Sequence, residues 1–189
     1  MKIDKSKTIV VTGGAGYIGS HIVLGMLDAG YEVVVVDKDK VACDYLIKRQ
    51  SRRKRLKVYN ADITNDVYMD GIFKNHDVGA VCHCAAYISV PESVDNPLKY
   101  YENNTAKTIN LLHRMKRNNI NVFLFASTAA VYGDQKGKEL ISEKTLCQPI
   151  NAYGESKLMV ETILRKHALT HPNFRYVSFR FFNVAGNDI

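Results

Sequence analysis

Tyr153 and Lys157 stand about one helical turn apart in the run Tyr153-Gly154-Glu155-Ser156-Lys157, so a helix there puts both side chains on one face. A phenol can take the proton of an alcohol only if its own proton is held loosely. With an ordinary pKa near 10 it is a poor base at neutral pH, and bringing it into range requires about 4 kcal/mol of differential stabilisation of the phenolate. The Lys157 ammonium can supply part of that field. Thr128, closing the apolar run Val122-Phe123-Leu124-Phe125-Ala126-Ser127, offers a hydroxyl that would hydrogen-bond the reacting alcohol. A tyrosine and a lysine at this spacing are common in helices, so the pair gains its weight from what surrounds it.

A second constellation lies near the start. Gly13-Gly14-Ala15-Gly16-Tyr17-Ile18-Gly19 follows the β-branched run Thr8-Ile9-Val10-Val11-Thr12 and opens a segment with helical apolar spacing over residues 17–29. Gly13 permits the turn, Gly16 lets phosphates approach the backbone, and Gly19 lets the helix pack closely on the strand. Asp37 ends the next apolar run, Glu32-Val33-Val34-Val35-Val36-Asp37, near the offset at which an acid accepts adenosine ribose hydroxyls. A carboxylate there welcomes the 2′-hydroxyl of NAD and repels the 2′-phosphate of NADP, so NAD is the expected cofactor. Lys38 and Lys40 are basic neighbours that would soften that preference. Asp62, closing Leu56-Lys57-Val58-Tyr59-Asn60-Ala61-Asp62, is placed to reach the adenine edge. The positive nicotinamide ring would add to the field on Tyr153.

The elements that must position these groups follow from periodicity. Strands are expected over residues 8–12, 32–37, 56–62, 78–84, 122–127 and 176–182, with helices near 17–29, 97–117 and 153–167. Continuous apolar strands imply burial on both faces. Alternating β and α units imply an α/β fold, a doubly wound parallel sheet of Rossmann type with right-handed crossovers. No repeat or Pro/Ser-rich linker divides the chain, so residues 1–189 read as one dinucleotide-binding domain. The long irregular stretch 133–151, just before the Tyr153 helix, is a place where loops often carry function.

Composition narrows the class. Of 189 residues 46% are hydrophobic and 24% charged, as in an ordinary soluble globular domain. No apolar run approaches the ~20 residues that span a bilayer, and the basic N-terminus is broken by glycines with no cleavage site. A cytoplasmic protein with free thiols is the expectation for Cys43, Cys82, Cys84 and Cys147. Cys82-His83-Cys84 does not suggest a metal site, because His83 faces away from its neighbours on a strand and no second pair has zinc-finger spacing. The net charge of +7 suits anionic ligands. Its densest run, residues 48–55, lacks interleaved aromatics and reads as a solvated helix end rather than a nucleic-acid patch.

Several longer runs carry a resemblance through almost the whole chain. They are Thr12 to His21, Glu92-Ser93-Val94-Asp95-Asn96-Pro97 continuing to Asn104, Ser127-Thr128-Ala129-Ala130-Val131-Tyr132-Gly133-Asp134, Tyr153 to Glu161, and Arg180-Phe181-Phe182-Asn183-Val184-Ala185-Gly186. They resemble the extended short-chain dehydrogenase/reductases, the NAD-dependent epimerase/dehydratase family, and within it most closely the UDP-glucose 4-epimerases. The resemblance implies that Tyr153 takes the proton of a sugar 4-hydroxyl while C4 gives hydride to a tightly held NAD. The 4-keto sugar then turns over and hydride returns to its other face, so UDP-glucose and UDP-galactose interconvert, a step of galactose metabolism. It implies cofactor contacts at Tyr17, Ile18, Asp62, Ile63, Cys84, Ala85, Ala86, Asn103 and Phe182, beside Thr128, Tyr153 and Lys157. Asn183 is implied to touch the UDP-sugar, together with Thr128 and Tyr153, and a homodimer is implied through the helices at 97–117 and 153–167.

Family members that dehydrate or decarboxylate nucleotide sugars place acids just after the strand-end hydroxyl. Here those positions are Ala129 and Ala130, and a methyl group moves no proton. Ile88 stands where many epimerases have a lysine reaching the cofactor, and Pro91 replaces a usual glycine. The resemblance also implies a further strand and a smaller substrate domain after the sixth strand. A chain ending at Asn187-Asp188-Ile189 is therefore expected to bind NAD but to epimerise poorly alone. Two alternatives stay open at this point: a non-catalytic NAD-binding module, and an epimerase of another UDP-sugar.

Overall fold

A computed structural model describes residues 3–135, 137 and 140–186. Six parallel strands form one sheet: β1 (Thr8–Thr12), β2 (Glu32–Asp37), β3 (Leu56–Asn60), β4 (Val78–His83), β5 (Val122–Thr128) and β6 (Arg175–Phe181). Their order is β3-β2-β1-β4-β5-β6. The chain winds outward from β1 to β3, returns past β1, and winds outward again, so the direction reverses between β1 and β4. In such sheets ligands bind beyond the carboxyl ends of the strands at that reversal. The register brings those ends together: Thr12 lies opposite both Val36 and His83, Asp37 opposite Asn60, and Thr128 opposite Phe181.

Helices cover the two faces. α1 (Tyr17–Asp28) and α2 (Lys40–Arg49) pack on the side carrying Ile9, Val11, Val33, Val35 and Cys82, with Val23, Leu27 and Leu46 pointing inward. α3 (Asp66–Asn75), α6 (Lys107–Arg117) and α7 (Ala152–Thr170) pack on the other, where Val10, Val34, Val36, Val81, Phe123 and Phe125 meet Met69, Phe73, Leu111, Met115, Val160 and Leu164. Adjacent strand residues thus serve opposite faces, as the period of two requires, and both faces of β1 are buried. The apolar side chains of the two small helices α4 (Val90–Asp95) and α5 (Pro97–Tyr100) are mostly exposed except Tyr100, which is fully buried. Asp39, Asn65, Ser89 and Asn151 cap helix N-termini through their side chains, each satisfying a donor the helix leaves free.

Several boundaries differ from the sequence reading. β3 stops at Asn60, so Asp62 lies beyond the strand, where its Oδ1 accepts from the Thr64 N–H at 2.9 Å and the Thr64 hydroxyl at 2.8 Å. That local turn competes with the ladder. β4 stops at His83 and β6 at Phe181, leaving Cys84 and Phe182 just past the sheet. The helix expected over 97–117 is not continuous: α5 passes into a π-helical segment, Tyr101–Ala106, before α6 resumes. Of the stretch 133–151, the described residues are irregular, and Lys136, Lys138 and Glu139 lie outside them. Met1, Lys2 and the terminal Asn187-Asp188-Ile189 likewise lie outside the described residues. The basic run 48–55 ends α2 and turns into β3 with most of its side chains exposed. No helix among the described residues is long and apolar enough to cross a membrane.

Candidate active site

A cavity of about 680 Å³ opens at the carboxyl ends of the strands, straddling the reversal between β1 and β4. The residues expected to be catalytic or to touch cofactor or substrate line it: Gly13, Gly16, Tyr17, Ile18 and Gly19 from the glycine loop, Asp37 from β2, Asp62 and Ile63 after β3, Cys84 to Ala86 after β4, Asn103 from the π segment, Thr128, Tyr153 and Lys157, and Phe182 and Asn183 after β6.

The glycine loop is built by close approach. Gly13 has φ +68°, and a Cβ there would lie 2.5 Å from the Ala85 nitrogen. A Cβ on Gly19 would lie 2.1 Å from the Gly13 carbonyl oxygen, so α1 begins pressed against the turn that precedes it. Gly16 caps α1 with no side-chain hydrogen bond, which leaves the first N–H groups of the helix facing the cavity, where an anion satisfies them best. Asp37 bounds the same end. One carboxylate oxygen accepts from the Ala15 N–H and the other from the Asp39 N–H, both at 3.1 Å. Each oxygen keeps a lone pair for a diol.

At the other end lie the groups for proton transfer. Lys157 is buried, donates to the Ala126 carbonyl at 2.8 Å and lies 4.8 Å from the centroid of the Phe125 ring. Burial pushes its pKa down to about 8. Thr128 accepts from the Ala130 N–H at 3.1 Å through its hydroxyl oxygen, as the 3₁₀ turn Ala129–Tyr132 leaves β5. Its own proton stays available to a partner in the cavity. Burial raises the Tyr153 phenol above its ordinary value, with the nearby Thr128 hydroxyl acting the other way. Burial thus outweighs any lowering at Tyr153, where the sequence reading expects Lys157 and the nicotinamide ring together to lower the phenol.

Two buried networks hold these groups in place. The Asn104 side chain accepts from the Tyr87 N–H at 2.9 Å and donates to the Tyr87 carbonyl at 3.0 Å and the Ser156 hydroxyl at 3.1 Å. It thereby ties the segment after β4 to the helix that carries Tyr153 and Lys157. His83 joins the Thr12 hydroxyl at 2.6 Å to the Thr108 hydroxyl at 2.9 Å, linking the root of the glycine loop to α6. Cys82 and Cys84 lie on the opposite side of β4 from His83, their sulfurs 3.9 Å apart.

Residues 9–188 match the model of the NAD dependent epimerase/dehydratase family. The chain belongs to that family. Relatives include the UDP-glucose 4-epimerase of Yersinia enterocolitica, 38% identical over 95% of this chain and 54% of that protein. The UDP-glucose 4-epimerase of Streptococcus mutans is 44% identical over 94% and 52%. Among solved structures, the UDP-Glc/GlcNAc 4-epimerase of Campylobacter jejuni superposes with a TM-score of 0.88 at 38% identity, covering 97% of this chain and 55% of that one. The UDP-glucose 4-epimerase of Bifidobacterium longum, solved with NAD+ and UDP, superposes at 0.85 with 36% identity, covering 93% and 53%. The chain spans about half the length of the curated relatives it matches.

For this epimerase/dehydratase family member, the sequence reading passed over Tyr87, Lys107, Ser127, Phe181 and Val184, all of which line the cavity. Lys107 reaches Asp62 at 3.4 Å, a pairing across a large sequence separation that no local pattern announces. The π segment had no signal in the apolar spacing either. Within it Asn103 lines the cavity and Asn104 is buried beneath it.

Proposed function

We propose that the chain binds NAD and carries the C4-redox machinery of a UDP-hexose 4-epimerase, interconverting UDP-glucose and UDP-galactose. The observation that carries this reading is the convergence of Thr128, Tyr153 and Lys157 on a cavity whose far end is a glycine loop with uncapped helix N–H groups and a ribose-ready Asp37. The residues fit the dinucleotide. The turn at Gly13 leaves no room for a side chain against Ala85, the first turn of α1 accepts a diphosphate, and Asp37 accepts a ribose diol.

When bound, the nicotinamide supplies the one capacity no side chain has, reversible acceptance of hydride from the sugar carbon. Everything else falls to the protein. Thr128 orients the sugar hydroxyl, Tyr153 takes and returns its proton, and Lys157, fixed by the Ala126 carbonyl, keeps a positive charge beside the phenol. Ala129 and Ala130 also line the cavity and offer no acid or base to carbons next to C4, which favours epimerisation over dehydration.

The sugar end of the cavity is open: Phe182 and Val184 are exposed at its rim. This supports a reading in which residues 1–189 form the dinucleotide-binding and redox part of the site, while groups outside it grip most of the nucleotide-sugar. NAD titration by calorimetry, and UDP-galactose turnover with the remaining domain supplied in trans, each in the parent and in Tyr153→Phe, test the proposal. Expected are NAD binding in both proteins and turnover lowered by roughly a thousandfold or more in the variant. Absence of NAD binding in the parent, or equal turnover in the two, would overturn it. NAD binding without turnover, even with the remaining domain supplied in trans, would identify a binding module instead.

A further inference from the structure

Among the described residues three lysines line the cavity: Lys38, Lys107 and Lys157. Two of them have strong acceptors within the protein. Lys107 faces the Asp62 carboxylate, and Lys157 donates to the Ala126 carbonyl. Lys38 differs. Among the described residues it has no carboxylate within salt-bridge distance, and its ammonium donates instead to the Tyr87 hydroxyl at 3.1 Å while lying 4.6 Å from the centroid of the same ring. A phenol hydroxyl and a ring face hold a cation in place without neutralising it.

The contact also spans the cavity. Lys38 follows Asp37 at the end of β2, on one side of the β1–β4 reversal, and Tyr87 follows β4 on the other. Tyr87 is itself fixed at both its N–H and its carbonyl by Asn104. The other ammonium near the ring, Lys99 at 4.8 Å, is already paired with Glu92.

We propose that Lys38 and Tyr87 form a bridge over the dinucleotide, with the Lys38 ammonium as the cation that meets the diphosphate. This rests on the reading of the cavity as an NAD site. The uncapped first turn of α1 meets the diphosphate from one side with partial charge, and Lys38 supplies a full charge from across the cavity. Lys38 is held at Tyr87 and, among the described residues, makes no salt bridge to the ribose-binding carboxylate of Asp37. It therefore serves the phosphates that every such dinucleotide has, rather than a 2′-phosphate.

The test is calorimetric titration of the parent chain, Lys38→Gln, Lys38→Arg and Tyr87→Phe with NAD, ADP, adenosine and NADP. Lys38 is exposed, so its variants fold, and thermal midpoints verify this. In Lys38→Gln, NAD and ADP should weaken by roughly five- to tenfold at low salt while adenosine changes by less than about twofold. Lys38→Arg should restore most of the loss. Tyr87→Phe, which keeps the ring but loses the hydroxyl, should weaken NAD by about two- to threefold. Equal weakening of adenosine and ADP would make Lys38 a packing residue and overturn the proposal. So would unchanged NAD affinity in Lys38→Gln, or a loss confined to NADP. A parent that binds NAD beside a variant that binds it equally defeats the bridge alone, whereas a parent that binds no NAD defeats the site reading and the bridge with it.

Discussion

Lys157 places its ammonium 2.8 Å from the carbonyl oxygen of Ala126, in a site that excludes water from the rest of the side chain. Burial lowers its pKa to about 8, below the ordinary 10.5 of the unfolded chain. Below pH 8 both states carry the proton, and the folded state bears the full cost of the buried charge, of the order of 3 kcal/mol. Between pH 8 and 10.5 the folded protein has released that proton while the unfolded chain still holds it, so this cost is relieved as pH rises. Lys157→Met, similar in length and uncharged, should therefore be as stable as the parent or more so at pH 7. That advantage should shrink by pH 10. Urea unfolding of both proteins at the two pH values measures it, and a difference that does not change with pH would count against a charged, desolvated Lys157.

Gly19 and Gly25 lie in the same helix and should respond oppositely to alanine. At Gly19 the added methyl would sit 2.1 Å from the Gly13 carbonyl, whereas at Gly25 it would meet nothing within 4 Å. Gly25→Ala should then stabilise the fold by up to about 1 kcal/mol through helix propensity. Gly19→Ala must push α1 off the glycine loop, costing about 2 kcal/mol or more and weakening NAD binding at least tenfold. Urea midpoints and NAD titration of the two variants decide the matter. Similar behaviour would mean that the loop tolerates the displacement.

Much of this site was legible because its signals are local. The Gly13 to Gly19 spacing needs only the turn, and Asp37 needs only the end of an apolar run. Tyr153 and Lys157 need only helical periodicity. The strands were legible for the same reason, each being a short run buried on two faces. What escaped depends on partners far apart in the chain. Asn104 acts through Tyr87 and Ser156, and Lys107 through Asp62. The state of Tyr153 escaped too, because its pKa depends on burial that spacing does not report.

His83 is expected to stay neutral with its proton on Nε2. The Thr108 hydroxyl donates to the Asn104 carbonyl at 2.7 Å, so its oxygen must accept from His83, and Nδ1 is left to accept from Thr12. Burial, and then the charge of Lys157, push the pKa down to about 3. As pH falls below 6.5 the unfolded chain takes up a proton that the folded protein refuses until about pH 3, so stability is lost across that window. Nitrogen-15 NMR should show an unprotonated Nδ1 that does not titrate between pH 5 and 8. A His83→Gln variant should lose stability at pH 7 yet show a flatter acid limb. A titration of His83 near pH 6 would contradict the assignment.

Glu161 and Arg180 join α7 to β6 beneath the cavity, and their separation should be costly. The Glu161 carboxylate accepts from Arg180 Nε at 3.1 and 3.2 Å and from Nη2 at 2.6 Å, and also from the Ser127 hydroxyl at 2.5 Å. The guanidinium lies 4.8 Å from the Tyr132 ring centroid, and its pKa is raised above the usual value chiefly by Glu161. The two side chains are 11% and 21% exposed, so removing one partner strands a charge that water only partly reaches. Glu161→Ala should cost about 2–4 kcal/mol, somewhat less than a fully buried pair because of that residual exposure. Removing both charges in Glu161→Leu with Arg180→Met should restore much of the loss, since the desolvation of each ion disappears along with their attraction. Urea unfolding of the parent, Glu161→Leu, Arg180→Met and the double variant forms the cycle. A coupling energy of about 1 kcal/mol or more is expected, and strictly additive losses would show that the pair holds α7 no more firmly than an exposed ion pair would.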